Sequence, residues 1–116
     1  MNKEFATNFS NEWVEAWNSH DLDKIMSHYS EYLEMNSPVI RQITGEKSGK
    51  LKGKTAVRAY WEKALKMNPT LHFELVRYFV GVDSVVLHYK GHRGFSAEIF
   101  FFDDDGKVTS AYAHYE

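Results

Sequence analysis

The sequence contains no cysteine. Disulfides, thiolate metal sites and a cysteine nucleophile are therefore excluded, and a reducing, cytoplasmic setting is the expectation. Charge of one sign is also missing. Fourteen Lys and Arg against 16 Asp and Glu leave a net charge of −2, which offers nothing to a nucleic-acid backbone or an anionic membrane. No stretch approaches the ~20 apolar residues of a membrane helix. Met1-Asn2-Lys3-Glu4-Phe5-Ala6 lacks the apolar run of a signal peptide, and the sequon Asn8-Phe9-Ser10 falls inside a helical pattern. The histidines are scattered, with no helical metal-ligand spacing, so neither metal nor cofactor is expected. Gly45-Glu46-Lys47-Ser48-Gly49-Lys50-Leu51 is one residue short of a phosphate loop between its glycines, and Leu51 stands where Ser or Thr must hold magnesium. Asp103-Asp104-Asp105-Gly106 lacks the alternation and later Glu of a calcium loop and reads as a hairpin turn.

What is present suits one domain spanning residues 1–116, with 43% hydrophobic, 26% charged and 16% aromatic residues. Phe5, Phe9, Trp13, Ala16 and Trp17 share one helical face. Asn18-Ser19-His20 breaks that helix, and Asp21 caps a second, short one carrying Leu22, Ile25, Met26 and Tyr29. Ser37-Pro38 cannot continue a helix, and Val39, Ile40 and Ile43 suggest short, irregular strands. Residues 45–53 form a polar loop. A third helix carries Ala56, Val57, Tyr60, Trp61, Ala64 and Leu65 and stops at Asn68-Pro69. Four strands follow, over residues 71–80, 84–90, 95–102 and 107–115, the middle pair joined by the two-residue turn His92-Arg93. Three helices followed by a four-stranded antiparallel meander define an α+β domain. One sheet face buries itself against the helices. The other, with Val86, His88, Ile99, Phe101, Tyr112 and His114, is too apolar to remain in water and predicts a homodimer through that outer face.

The most informative stretch is Phe95-Ser96-Ala97-Glu98-Ile99-Phe100-Phe101-Phe102. It reads as a strand buried on both faces, with a single carboxylate in its middle. An isolated ionised carboxylate in apolar surroundings is costly, so Glu98 must face a polar cavity, find a donor or stay protonated. Alternation places Ser96, Phe100 and Phe102 on its face. The hairpin turns place Leu87 opposite Glu98 on one side and Ala111 on the other, neither of which can pair with it. Trp13, Trp17, Tyr29, Tyr60 and Trp61 project from inner helix faces as core rings and pocket walls. Glu98 is thus expected to line a cavity with a pKa raised by desolvation.

Trp13 to Tyr29 (WVEAWNSHDLDKIMSHY), Ser37-Pro38, Leu51 to Trp61 (LKGKTAVRAYW), the Phe102-Asp-Asp-Asp-Gly-Lys107-Val108 turn and Ala113-His114-Tyr115 resemble the nuclear transport factor 2-like superfamily. Within it, the chain is similar to the SnoaL-like and ketosteroid-isomerase-like branch. The resemblance spans nearly the whole chain and implies a cone: a curved sheet wrapped around a long helix, an apolar pocket at the open end, and often a dimer through the outer sheet face. It also implies roles. The isomerase base precedes the proline after the second helix, where this chain has Ser37. The oxyanion Tyr of the first helix corresponds to Trp13, the supporting Tyr to Tyr29, and the second acid to Glu98. The steroid-isomerase base and first-helix Tyr are therefore not retained, whereas the resemblance implies a cyclase-like role for Glu98, since a carboxylate near this strand position does acid/base work in SnoaL-type polyketide cyclases. The expected function is isomerase- or cyclase-like chemistry by Glu98 on a small carbonyl or polyketide-like substrate. Trp13, Trp17, Tyr29, Ser37, Tyr60, Trp61, Leu87, Phe100 and Ala111 are the expected substrate-binding residues. The alternative is a non-catalytic domain that binds a small apolar ligand or serves as a dimeric scaffold.

Overall fold

The computed structural model describes residues 1–116. Helix α1 (Lys3–Ser19) starts where the Asn2 side chain accepts from the Phe5 N–H, and ends at His20 in the left-handed conformation. Its buried face carries Ala6, Phe9, Trp13, Ala16 and Trp17, the face that the spacing predicts. Helix α2 (Leu22–Met26) is capped by Asp21, which accepts from Asp23 and Lys24.

The middle of the chain departs from expectation. Helix α2 stops at Met26, and Tyr29 instead opens strand β1 (Tyr29–Asn36). Residues Pro38–Thr44, read as irregular strand, form helix α3. Pro38 opens this helix, a position where the missing N–H costs nothing, and Ser37 caps it by accepting from Val39 at 3.1 Å. Val39, Ile40 and Ile43 are its buried face. Their spacing of one and three was helical, and it outweighed their β-branched composition. The polar loop contains a short strand, β2 (Lys50–Lys52), ahead of helix α4 (Lys54–Met67), which buries Val57, Tyr60 and Trp61.

Strands β3 (Glu74–Val80), β4 (Ser84–Gly91), β5 (Gly94–Phe102) and β6 (Val108–Tyr115) form the expected antiparallel meander. The sheet has six strands rather than four, in the order β2-β1-β6-β5-β4-β3, and it is mixed because β1 runs parallel to β6. The helices cover one face of this curved, unclosed sheet. Phe100 illustrates the core beneath them, lying edge-on to Phe9 at 5.1 Å and to Trp13 at 5.4 Å. No helix is long and apolar enough to cross a membrane.

Two registers decide what surrounds Glu98. Between β4 and β5, Leu87 lies opposite Glu98 and Gly91 opposite Gly94, as the two-residue turn demands. Between β5 and β6, Glu98 pairs with Ala113, and Ala111 pairs with Phe100. The expected Glu98–Ala111 pairing is displaced by two residues, one because the turn pairs Phe102 with Val108 rather than Lys107, the other from the register shift at Phe101/Phe102.

Candidate functional site

Glu98 is 3% exposed, in the middle of β5 and on the helix-facing side of the sheet. Its Oε1 accepts a hydrogen bond from the Tyr89 hydroxyl at 3.0 Å. Tyr89 lies opposite Ser96 on β4, diagonal to Glu98 on the same face. The other carboxyl oxygen has no partner in the chain and stays open to a cavity beside it. No cation pairs with Glu98: the ion pairs are Lys50–Glu34, Arg58–Asp23 and Lys66–Glu62, all at the surface. Burial therefore dominates, pushing the carboxyl from its ordinary 4.5 up to about 7, and the Tyr89 hydrogen bond pulls partway back.

The cavity has a volume of about 80 Å³. Its apolar wall includes Trp13, Trp17, Met35, Trp61 and Phe73, and its polar groups include Glu98, Tyr60, Tyr89, Tyr115 and Arg93. The rings hold one another in place. Trp13 stacks on Phe73 with centroids 5.6 Å apart, and Trp17 meets Trp61 edge-on at 5.3 Å. Four tyrosine hydroxyls near Glu98 are held protonated. Burial raises Tyr29, Tyr60, Tyr89 and Tyr115 above the usual phenol value, Tyr115 to about 12, and the Glu98 charge adds to each. They are hydrogen-bond donors at neutral pH and not acids. Ser37 lies beside the Tyr60 and Tyr115 hydroxyls, and Tyr89 beside that of Tyr115, and hydrogen bonding to these neighbours partly offsets the effect of burial; both tyrosines line the cavity.

Of the residues expected from sequence, Glu98, Trp13, Trp17, Tyr60 and Trp61 line the cavity. The others lie behind the wall. Tyr29 is buried in the core, where it accepts from Trp13 Nε1 at 2.9 Å. This bond occupies the indole donor that the resemblance aligned with an oxyanion group. Ser37 caps α3. Leu87, Phe100 and Ala111 are fully buried core residues outside the lining. Sequence reasoning passed over Tyr89, the one side chain bonded to Glu98, although the Leu87–Glu98 pairing already set it on the same face one step along the ladder. It also passed over Phe73 and Arg93, for which periodicity gave no distinguishing signal, and Tyr115, which alternation from Ala111 sets on the Glu98 face.

A cone-like α+β domain with an aromatic cavity and a buried acid on its sheet wall is the class that fold and site define together. The SnoaL-like domain family matches residues 11–114, and the chain belongs to it. The resemblance drawn from Trp13–Tyr29, Ser37-Pro38 and the C-terminal strands is thereby borne out. A SnoaL-like protein of unknown function from Burkholderia thailandensis is 52% identical, with 99% of this chain and 97% of that one covered and a TM-score of 0.95. A nuclear transport factor 2-like protein of unknown function from Cytophaga hutchinsonii shares the fold at 15% identity, TM-score 0.73, covering 96% of this chain and 89% of that one. The epoxide hydrolase/cyclase-like enzyme SalBIII, which has a role in pyran ring formation in the polyether salinomycin, does so at 17% identity, TM-score 0.78, covering 99% and 93%. No curated protein matches the sequence.

Proposed function

We propose that the protein is a cofactor-independent acid/base catalyst of enolisation chemistry, an isomerisation or cyclisation, on a small carbonyl compound, with Glu98 carrying the proton. The observation behind this reading is a buried carboxyl with one tyrosine partner and its second oxygen free toward an apolar cavity. Ionised Glu98 takes a proton from the carbon next to the carbonyl. The C–H electron pair moves into the carbonyl as an enolate, and the resulting Glu98 carboxylic acid returns the proton to carbon. Tyr60 and Tyr115, which line the cavity and stay protonated at neutral pH, offer O–H donors to the developing oxyanion. A carboxyl that ionises near neutral pH suits both halves of such a cycle. The cavity of about 80 Å³ favours a small carbonyl compound, or the head of a longer one, over a polyketide-like ring system. The test is deuterium exchange at the carbon next to the carbonyl of 2-heptanone, followed by proton NMR in D₂O. The protein should accelerate exchange above the buffer rate, with the rate rising through about pH 7 as Glu98 ionises, and Glu98→Gln should return it to the buffer rate. Binding without exchange, or exchange that survives the substitution, would refute the catalytic role; the first result leaves a small-molecule-binding domain.

The outer sheet face supports a second part of this reading, a homodimer. Phe79, Val86, Ile99 and Tyr112 form a continuous cross-strand row from β3 to β6, and Phe79 is 55% exposed. Four strands at ~4.8 Å spacing and eight residues at ~3.3 Å give roughly 500 Å² of projected area per copy. Two copies reach the ~1,000 Å² that a specific interface must clear. Light scattering at micromolar concentration should give twice the 13.5 kDa chain mass, and Ile99→Lys should halve it. A single-chain mass for the unaltered protein rules the interface out.

A further inference from the structure

The cavity has two charged side chains, and only Glu98 enters the reaction proposed above. The other is Arg93, in the two-residue turn between β4 and β5. Its guanidinium lies over the Tyr115 ring, 5.8 Å from the centroid, so it leans back across the cavity mouth. No carboxylate in the chain pairs with it. The neighbouring acid, Glu116, instead accepts from the Phe95 N–H at 2.6 Å. Strand register places Tyr89 and Tyr115 on either side of Ser96, between Arg93 and Glu98, and Trp17 and Phe73 line the same cavity. A guanidinium with free donors at the rim of such a wall is suited to a planar anion.

The geometry points to an amphipathic oxo acid as the ligand: its carboxylate on Arg93, its alkyl chain along the aromatic wall, and its carbonyl at Glu98. This rests on the acid/base reading for the carbonyl end only. Backbone spacing sets the length. Gly94 and Glu98 are four residues apart on β5, about 13 Å at ~3.3 Å per residue. Tyr115, beneath the guanidinium, pairs with Ser96 halfway along. The charged head is thus roughly 7 Å from the level of Glu98. Three backbone bonds span ~3.3–3.6 Å, so five or six bonds separate carboxylate and carbonyl. That spacing also keeps the ligand's charge away from an ionised Glu98.

The test uses 6-oxoheptanoate and its uncharged counterpart 2-heptanone. All three tryptophans of the chain line this cavity, so intrinsic fluorescence reports on it directly. The oxo acid should bind about tenfold tighter than the ketone, the scale of a charge-assisted contact. Added salt should erode the difference. Arg93→Gln, a change at an exposed turn residue, should abolish the preference while leaving 2-heptanone binding unchanged. Equal affinity for both ligands, a preference that survives Arg93→Gln, or no binding of either overturns the assignment. An Arg93-dependent preference without deuterium exchange sustains Arg93 as the anion site and refutes only the catalytic role of Glu98. Exchange of 2-heptanone without any Arg93-dependent preference does the reverse.

Discussion

Glu98→Gln separates the electrostatics of the site from its shape. The carboxyl ionises near 4.5 in the unfolded chain and at about 7 in the folded protein. Below pH 4.5 both states are protonated, and burial carries no ionic penalty. Between about 4.5 and 7 the unfolded chain releases a proton that the folded chain retains, so stability falls by ~1.4 kcal/mol per pH unit. Above 7 both are ionised and the loss levels off. From pH 5 to pH 8 this one group should remove about 2 to 3 kcal/mol. Glutamine keeps the shape and can still accept from Tyr89, but does not titrate. Urea unfolding of both proteins at pH 5 and pH 8 isolates the effect, because every other titration is shared and cancels. The variant should match the parent within about 1 kcal/mol at pH 5 and exceed it by about 2 to 3 kcal/mol at pH 8. A stability difference that does not change with pH would refute the claim that Glu98 is buried without a compensating charge.

Further outcomes follow from single contacts. Tyr89→Phe removes the only donor to Glu98, so a carboxyl NMR titration should place its pKa above that of the parent, and the fold should lose about 1 kcal/mol; a downward shift contradicts the assignment. Ser37→Ala removes the α3 cap and should cost about 1 kcal/mol of unfolding free energy without changing the pH dependence of the Glu98 carboxyl. Trp13→Phe leaves the Tyr29 hydroxyl buried without its donor and should cost about 2 to 3 kcal/mol by urea unfolding; a loss below 1 kcal/mol would mean that the hydroxyl finds another partner.

The parts of this molecule that were legible from sequence are those where a local period and a tertiary role coincide. Helix α1 repeats its aromatics at helical spacing, and β4 and β5 flank a turn short enough to fix their register, so Leu87 opposite Glu98 followed directly. Glu98 stood out because a lone carboxylate among phenylalanines has few affordable environments. The failures have equally physical origins. Strand β1 pairs with β6 across most of the chain length, and a register shift breaks its alternation between Tyr29 and Glu34. Nothing local marks it as a strand. Helix α3 was hidden because Ser-Pro signals both the end of one element and the start of another. Ala111 was misplaced by two residues, one from the turn, which pairs Phe102 with Val108 rather than Lys107, and one from the shift at Phe101/Phe102, and together they put Ala113 beside Glu98. Tyr89 is not a straight cross-strand neighbour of Glu98 but a diagonal one, and a tyrosine is long enough to reach across that diagonal.

The parallel pairing of β1 with β6 has a consequence for how the site comes into being. Strand β6 lies between β1 and β5, so without it the sheet falls into two pieces, β2-β1 and β5-β4-β3. Met35 belongs to the first piece, Glu98 and Tyr89 to the second, and Tyr115 to the strand that joins them. The hairpins of β3, β4, β5 and β6 close over short loops and can form early. The insertion of residues 108–115 beside residues 29–36 must wait for a long loop to close, which is the slow kind of step. Until β1 docks beside β6, the four-stranded ribbon that carries Glu98 lacks the part of the cavity wall that Met35 supplies, and water can reach the carboxyl. The unusual acid is therefore completed late in folding, when residues 29–36 reach the C-terminal strand.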